Sequence, residues 1–194
     1  MAPKSGSRTL GIAASDATDR SQLCGAVVRA DRVVDDIVFA TCTPGGSNAT
    51  TACCELWDRL DRPDVRWILV AGIAPAWFNL VDLAVLADHT DRPVISVSFE
   101  DSDGLEGPLR EQFTDEKLDR RLDIYDRLPP RTPVCVGDDE LFVRSVGLSA
   151  SDAAEIVRAF TPEGSGRPEP LRVARLAARA AREQWVDEHE KTED

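Results

Sequence analysis

The hydrophobic pattern of the chain switches between two periods, and the switches mark its elements. Three apolar runs come first: Thr9–Ala14, Leu23–Arg29 and Val33–Thr43. The joins between them are short and polar (residues 15–19, then Ala30-Asp31-Arg32), which predicts an antiparallel meander. Pro44-Gly45-Gly46-Ser47-Asn48 ends the run, and a helix is expected over Ala49–Leu60 with Ser47 or Asn48 as its N-cap. Trp67-Ile68-Leu69-Val70 is long enough for one buried strand and too short for a helix. After Ala71-Gly72 the spacing becomes helical: Phe78, Val81, Val85 and Leu86 share a face with Asp82, so a helix packed back on the strand is expected from Phe78. Pro93 then leads a buried strand, Val94–Phe99.

The remainder reads as an exposed acidic loop over Glu100–Pro108, a charged helix over Leu109–Leu128 stopped by Pro129-Pro130, and a small strand pair, Val134–Val136 and Leu141–Val143. Two more helices follow, Ser149–Phe160 and Leu171 to about Glu188, the second introduced by Pro168-Glu169-Pro170. Residues 1–7 are expected to form a flexible arm, residues 8–188 one domain, and residues 189–194 a disordered tail. Three antiparallel strands, then strands joined through helices and so parallel, predict an α/β fold: a mixed sheet covered by helices on both faces, in the order of a ribonuclease-H-like architecture. A strand ending in glycine before a helix is where such sheets place ligands.

Composition adds a second layer. The 194 residues carry 35 acidic and 23 basic side chains, a net charge of −12, and only Lys4, Lys117 and Lys191 are lysines. An acidic, lysine-poor surface suits concentrated salt, where the Debye length shrinks to roughly 3 Å at 1 M, so a halophilic cytoplasm is expected. The same screening weakens the usual inference that an acidic chain avoids nucleic acid. Five cysteines (Cys24, Cys42, Cys53, Cys54, Cys135) form no CxxC pair, which indicates neither a disulfide framework nor a zinc site. Neither His89 nor His189 reads as a base for Cys53 or Cys54, which argues against a cysteine-nucleophile hydrolase. The N-terminus has no long apolar stretch, and no run reaches eighteen apolar residues, so no membrane partner is expected.

Several segments carry a resemblance: Pro168–Ala178 (PEPLRVARLAA), Gly72–Leu83 (GIAPAWFNLVDL), Gly46–Thr50 (GSNAT), and more weakly Gln112–Asp115, with Gly147-Leu148-Ser149 between. In this order they resemble an archaeal endonuclease-V-like family, also called endonuclease dU. The resemblance implies a ribonuclease-H-like nuclease core acting in DNA repair on deaminated (uracil- or inosine-containing) nucleic acid, with Mg²⁺ or Mn²⁺ as cofactor. Two such cations held by converging carboxylates clamp the attacking and leaving oxygens of a phosphodiester. The chain departs from the family pattern at the acidic positions. Ala13, Ala14, Gly45, Asn48 and Ala71 stand where the family has acids, and Arg175 where it often has histidine. The remaining candidate catalytic residues and metal ligands are Asp16, Asp82 and Glu169. The candidate nucleic-acid contacts are Asn48, Thr50, Asn79 and Arg172. Two readings follow: a nuclease of this type with a degraded metal site, or an inactive nucleic-acid- or protein-binding module derived from the fold.

Overall fold

The computed structural model describes residues 3–190. Seven strands form one mixed sheet in the order β3-β2-β1-β4-β5-β7-β6. The meander comprises β1 (Arg8–Asp16), β2 (Ser21–Arg29) and β3 (Val34–Cys42). The strands β4 (Val65–Ala71) and β5 (Val94–Ser98) run parallel to β1 in the centre, and the hairpin β6 (Thr132–Val136) and β7 (Asp139–Val146) closes the other edge antiparallel to β5. The mixed, helix-covered sheet read from the chain order is therefore the observed one.

Strand alternation assigns the two faces. Leu10, Ile12, Leu23, Ile68 and Val70 bury against α1 (Ala49–Leu60) and α2 (Leu83–Thr90). Their sequence neighbours Ala13, Cys24, Ala26 and Val28 face α6 (Glu169–Glu190) through Ala174 and Ala178. Small residues on both sides let this helix lie close to the sheet. At Gly11 an added Cβ would stand 2.4 Å from the backbone carbonyl group of Pro170, so only glycine admits the start of α6 there. Helix α5 (Ala150–Ala159) covers β5, β6 and β7 on that face through Ala153, Ile156 and Val157.

Three expectations change. The helix expected from Phe78 begins at Leu83. Trp77 and Phe78 take positive φ (40° and 59°), and Asn79 N–H closes back on the Ala76 carbonyl at 3.1 Å. The apolar spacing of Phe78 and Val81 thus belongs to a tight loop packed on the core, and Asp82 is the residue before the helix rather than one on its face. The long helix expected over 109–128 is two, α3 (Glu106–Gln112) and α4 (Asp115–Asp126), because Phe113 turns extended at φ −131° to reach Trp77 and Phe78. The first of these begins inside the acidic stretch read as loop. Within the expected arm, Ser5 and Ser7 accept hydrogen bonds from Asp31 and Ala30, which ties that segment to the β2–β3 turn. Residues 1–2 of the arm and 191–194 of the tail lie outside the described residues, and α6 extends to Glu190.

Candidate functional site

The carboxyl ends of β1, β4 and β5 lie along one edge of the sheet, beside the start of α1 and the loop 72–82. Four of the candidate residues meet here. Asn79, with no exposed surface, sits at the centre. Its Oδ1 accepts from Ala49 N–H at 2.9 Å and so supplies the cap for α1, whose own N-cap residue Asn48 makes no capping bond. The Asn79 amide donates to the Thr43 carbonyl at 2.8 Å and to Asn48 Oδ1 at 2.9 Å. Asn48 Oδ1 also accepts from Thr43 N–H at 3.1 Å. Thr50 Oγ1 accepts from Asp82 N–H at 3.0 Å. One side-chain lattice thereby fixes the end of β3, the start of α1 and the loop before α2.

Asp82 is fully engaged. Its Oδ1 accepts from Ala84 and Val85 N–H at 3.1 and 3.2 Å as the N-cap of α2, and its Oδ2 accepts from Arg127 at 2.8 Å. Extended backbone at φ −77° and ψ 104° followed by two bonds to the first turn is N-cap geometry.

Asp16 lies exposed at the end of β1 on the same sheet edge. Two ladder steps (Asp16 to Ser21, Ser21 to Cys42) separate it from the end of β3, roughly 10 Å at the usual strand spacing. Its charge raises the Cys42 thiol, which burial chiefly pushes up to about 11. Glu169 and Arg172 are at the far end of α6. Asp16 meets this helix through its backbone carbonyl, bonded to Arg182 at 3.0 Å, and thirteen helical residues separate Arg182 from Glu169, about 20 Å at 1.5 Å each. There the Arg172 guanidinium grips Glu169 bidentately at 2.6 and 2.7 Å and holds that carboxyl below its ordinary range, with Arg32 acting in the same sense.

The three carboxylates therefore do not converge. Among the described residues no group of three His, Cys, Asp or Glu side chains is placed to hold a metal ion. The donor set does not fit a shared divalent cation: Asp82 has both oxygens committed, Glu169 is neutralised by Arg172, and Ala13 and Ala71 contribute methyl groups to the core on the α6 side. Nor is a thiol poised. Burial pushes Cys53 and Cys54 upward, and His89 bonds Asp58 at 2.8 Å instead.

Sequence reading missed three residues of this edge. Arg121, only 6 % exposed, donates to the carbonyls of Phe78 at 3.0 Å, Lys117 at 2.7 Å, Gly46 at 2.8 Å and also Gly45, with its guanidinium 3.7 Å above the Phe113 ring. It knots three loops together, yet in the chain it is one more arginine in a charged helix. Arg127 likewise gives no signal apart from its partner Asp82. Trp77 is half exposed, held edge-on by Phe78 and tilted against Phe113 at 5.5 and 5.9 Å. A Cβ at Gly45 would strike its indole at 2.5 Å, so that glycine makes room for the ring.

A central parallel pair flanked by a three-stranded meander, with helices on both faces, places the chain in the ribonuclease-H-like fold class. Within that class it belongs to the endonuclease dU family, whose model matches residues 5–182. It is 33 % identical over 165 residues to a UPF0215 protein of Pyrobaculum calidifontis, covering 84 % of this chain and 89 % of that one. A protein of unknown function from Archaeoglobus fulgidus superposes with a TM-score of 0.80 at 26 % identity, over 90 % of this chain and 97 % of that one. Endonuclease V of Ciona intestinalis, solved with a DNA containing an inosine followed by a ribo-adenosine, shares the fold at a TM-score of 0.60 and 13 % identity, over 94 % and 92 % of the two chains. No helix among the described residues is long and apolar enough to cross a membrane.

Proposed function

We propose that this protein is a nucleic-acid-binding member of the endonuclease dU family that engages strands at the carboxyl edge of its sheet, without a carboxylate-held divalent ion to cut them. The observation that carries the reading is the state of Asp82. The one buried carboxylate at the centre of the edge is engaged in capping α2 and pairing Arg127, and among the described residues no cluster of three His, Cys, Asp or Glu side chains stands there to hold a cation. Relatives of the fold bind DNA, and the half-exposed Trp77 indole offers a π face on which an unpaired base stacks, a contact worth about 1–3 kcal/mol per base. Asn48, Thr50 and Asn79 serve the site indirectly, by fixing the loop that presents this ring.

The test is a Mn²⁺ titration in molar salt, followed by incubation with uracil- and inosine-containing oligonucleotides. We expect oligonucleotide binding without cleavage, weakened about fivefold or more in Trp77→Ala and largely retained in Trp77→Phe. Metal-dependent cleavage lost in Asp16→Asn or Asp82→Asn would overturn the reading and restore that of an active deaminated-base nuclease.

A further inference from the structure

Beside the Asp82 edge, a recess of about 200 Å³ opens at the carboxyl ends of β4 and β5, lined among others by Gly72, Ser98, Ser102, Tyr125, Arg131 and Arg144. Its chemistry is one-sided. Arg144 is half-buried on β7, directly across the ladder from Ser96, and Phe142 is across from Ser98, so these four share a sheet face. Arg131 lies over the Phe142 ring at 4.3 Å and donates to Ser102 Oγ at 2.7 Å. Its carboxylate partner is Asp101, a residue almost fully in solvent. Arg144 donates to the Pro129 carbonyl, and among the described residues no ion pair within 4.0 Å joins it to a carboxylate. Burial lowers its pKa; the adjoining Tyr125 hydroxyl opposes the shift, and the like charge of Arg131 adds to it. In a chain of net charge −12, two arginines and no acid line this recess, and the one carboxylate paired with them, Asp101, lies outside it in solvent.

A second observation points the same way. Ser96 is 99 % buried, and its Oγ has no hydrogen-bond partner. It stands across the ladder from Arg144 on the strand face it shares with Ser98, and a buried donor without an acceptor is costly. Gly72 lines the recess at φ 77°, a conformation side chains rarely adopt, and the space beside it is open, since a Cβ there would meet nothing within 4 Å.

We infer that this recess is an oxyanion subsite that takes a phosphate group, with Arg131 and Arg144 as its cationic walls and the hydroxyls of Ser98 and Ser102 as its donors. Guanidinium forks match phosphate oxygens in geometry as well as charge. Two sources of the group share that chemistry: a backbone phosphodiester of a bound strand, and a free phosphate. The first rests on the nucleic-acid reading above, and position favours it. The loop that begins at Gly72 in the recess carries Trp77 and Asp82 at the edge, and α4, which gives Tyr125 to the recess, holds that loop with Arg121. A strand with a base on Trp77 would run its backbone toward the two arginines.

The experiment uses the full chain in molar KCl. Melting temperature is followed against inorganic phosphate, and oligonucleotide affinity by anisotropy, for the wild type, Arg144→Gln, Arg144→Lys and Ser98→Ala. We expect a saturable phosphate-dependent rise in the wild type that Arg144→Gln abolishes and Arg144→Lys partly keeps, with oligonucleotide affinity falling about tenfold in the glutamine variant. Loss of the phosphate response with oligonucleotide binding unchanged, or absent in the wild type too, assigns the recess to free phosphate and removes it from the nucleic-acid reading. Should Arg144→Gln not fold, Ser98→Ala and Arg144→Lys carry the comparison. A wild type indifferent to phosphate, together with folded variants that bind oligonucleotide as the wild type does, overturns the subsite however tightly the wild type holds a strand.

Discussion

Asp82 shows how a residue's type can be read from sequence while its use cannot. A carboxylate among apolar residues next to a glycine-ended strand invites a catalytic role. In the fold it terminates a helix. The two uses separate in a stability measurement: Asp82→Asn keeps a side-chain oxygen for the Ala84 and Val85 amides and should unfold near the wild-type midpoint, whereas Asp82→Ala should lose about 1 kcal/mol in urea unfolding. Equal loss in both variants would point to the Arg127 ion pair rather than the cap. Glu169 makes the parallel case at the other end of the molecule. Its pKa is depressed in the folded state, so its pairing with Arg172 contributes stability that is fully present above the unfolded carboxylate value and is lost as pH falls through the folded one. The difference in melting temperature between the wild type and Glu169→Gln should therefore be largest near pH 6 and shrink below about pH 4. A difference that stays constant with pH would assign the effect to packing.

At the scale of elements, the strands and the helices α1, α5 and α6 follow from local pattern, because each buries one continuous face of matching period. The loop 72–82 and the α3–α4 break do not. Both are set by aromatic side chains meeting across the chain: Phe113 leaves its helix to join Trp77 and Phe78, and Arg121 locks the arrangement through four backbone carbonyls. Helical spacing over Phe78–Leu86 marks Val81 and Leu86 as core correctly, but it misplaces Val85, which is 50 % exposed, and misreads the backbone conformation before Leu83. The closeness of α6 to β1 makes a test at this scale. Gly11→Ala places a methyl against the Pro170 backbone, which cannot yield as a flexible side chain would, and should cost about 1–3 kcal/mol or shift the start of α6. Unchanged stability would mean that α6 docks more loosely than its spacing indicates.

For the whole molecule, charge is the dominant property. With −12 net and three lysines, self-repulsion is strong in dilute buffer and screened in concentrated salt. The melting temperature should rise steadily between about 0.1 and 2 M KCl. A flat or falling curve would remove the halophilic reading. The same acidic surface makes the cationic recess at Arg131 and Arg144 more informative than it would be on a basic protein, because local charge there opposes the overall field.

Alternation, turn residues and a few motif segments are local properties, so the chain alone carries the class of sheet, the succession of strands along the chain, the helix-covered faces and the family, while the place of β7 beside β5 comes from the fold. The sequence also located four residues of the candidate edge, Asn48, Thr50, Asn79 and Asp82, since they sit in those segments. Tertiary structure alone decided what they do. Hydrogen-bond partners such as Thr43 for Asn79 and Arg127 for Asp82 come from distant parts of the chain, and a carboxylate's availability depends on what already bonds its oxygens. Only the fold could separate Asp16 from Glu169 by the length of a helix, and only the fold could bring Arg131 and Arg144 to one recess, because through-space distance across a sheet leaves no trace in spacing along the chain.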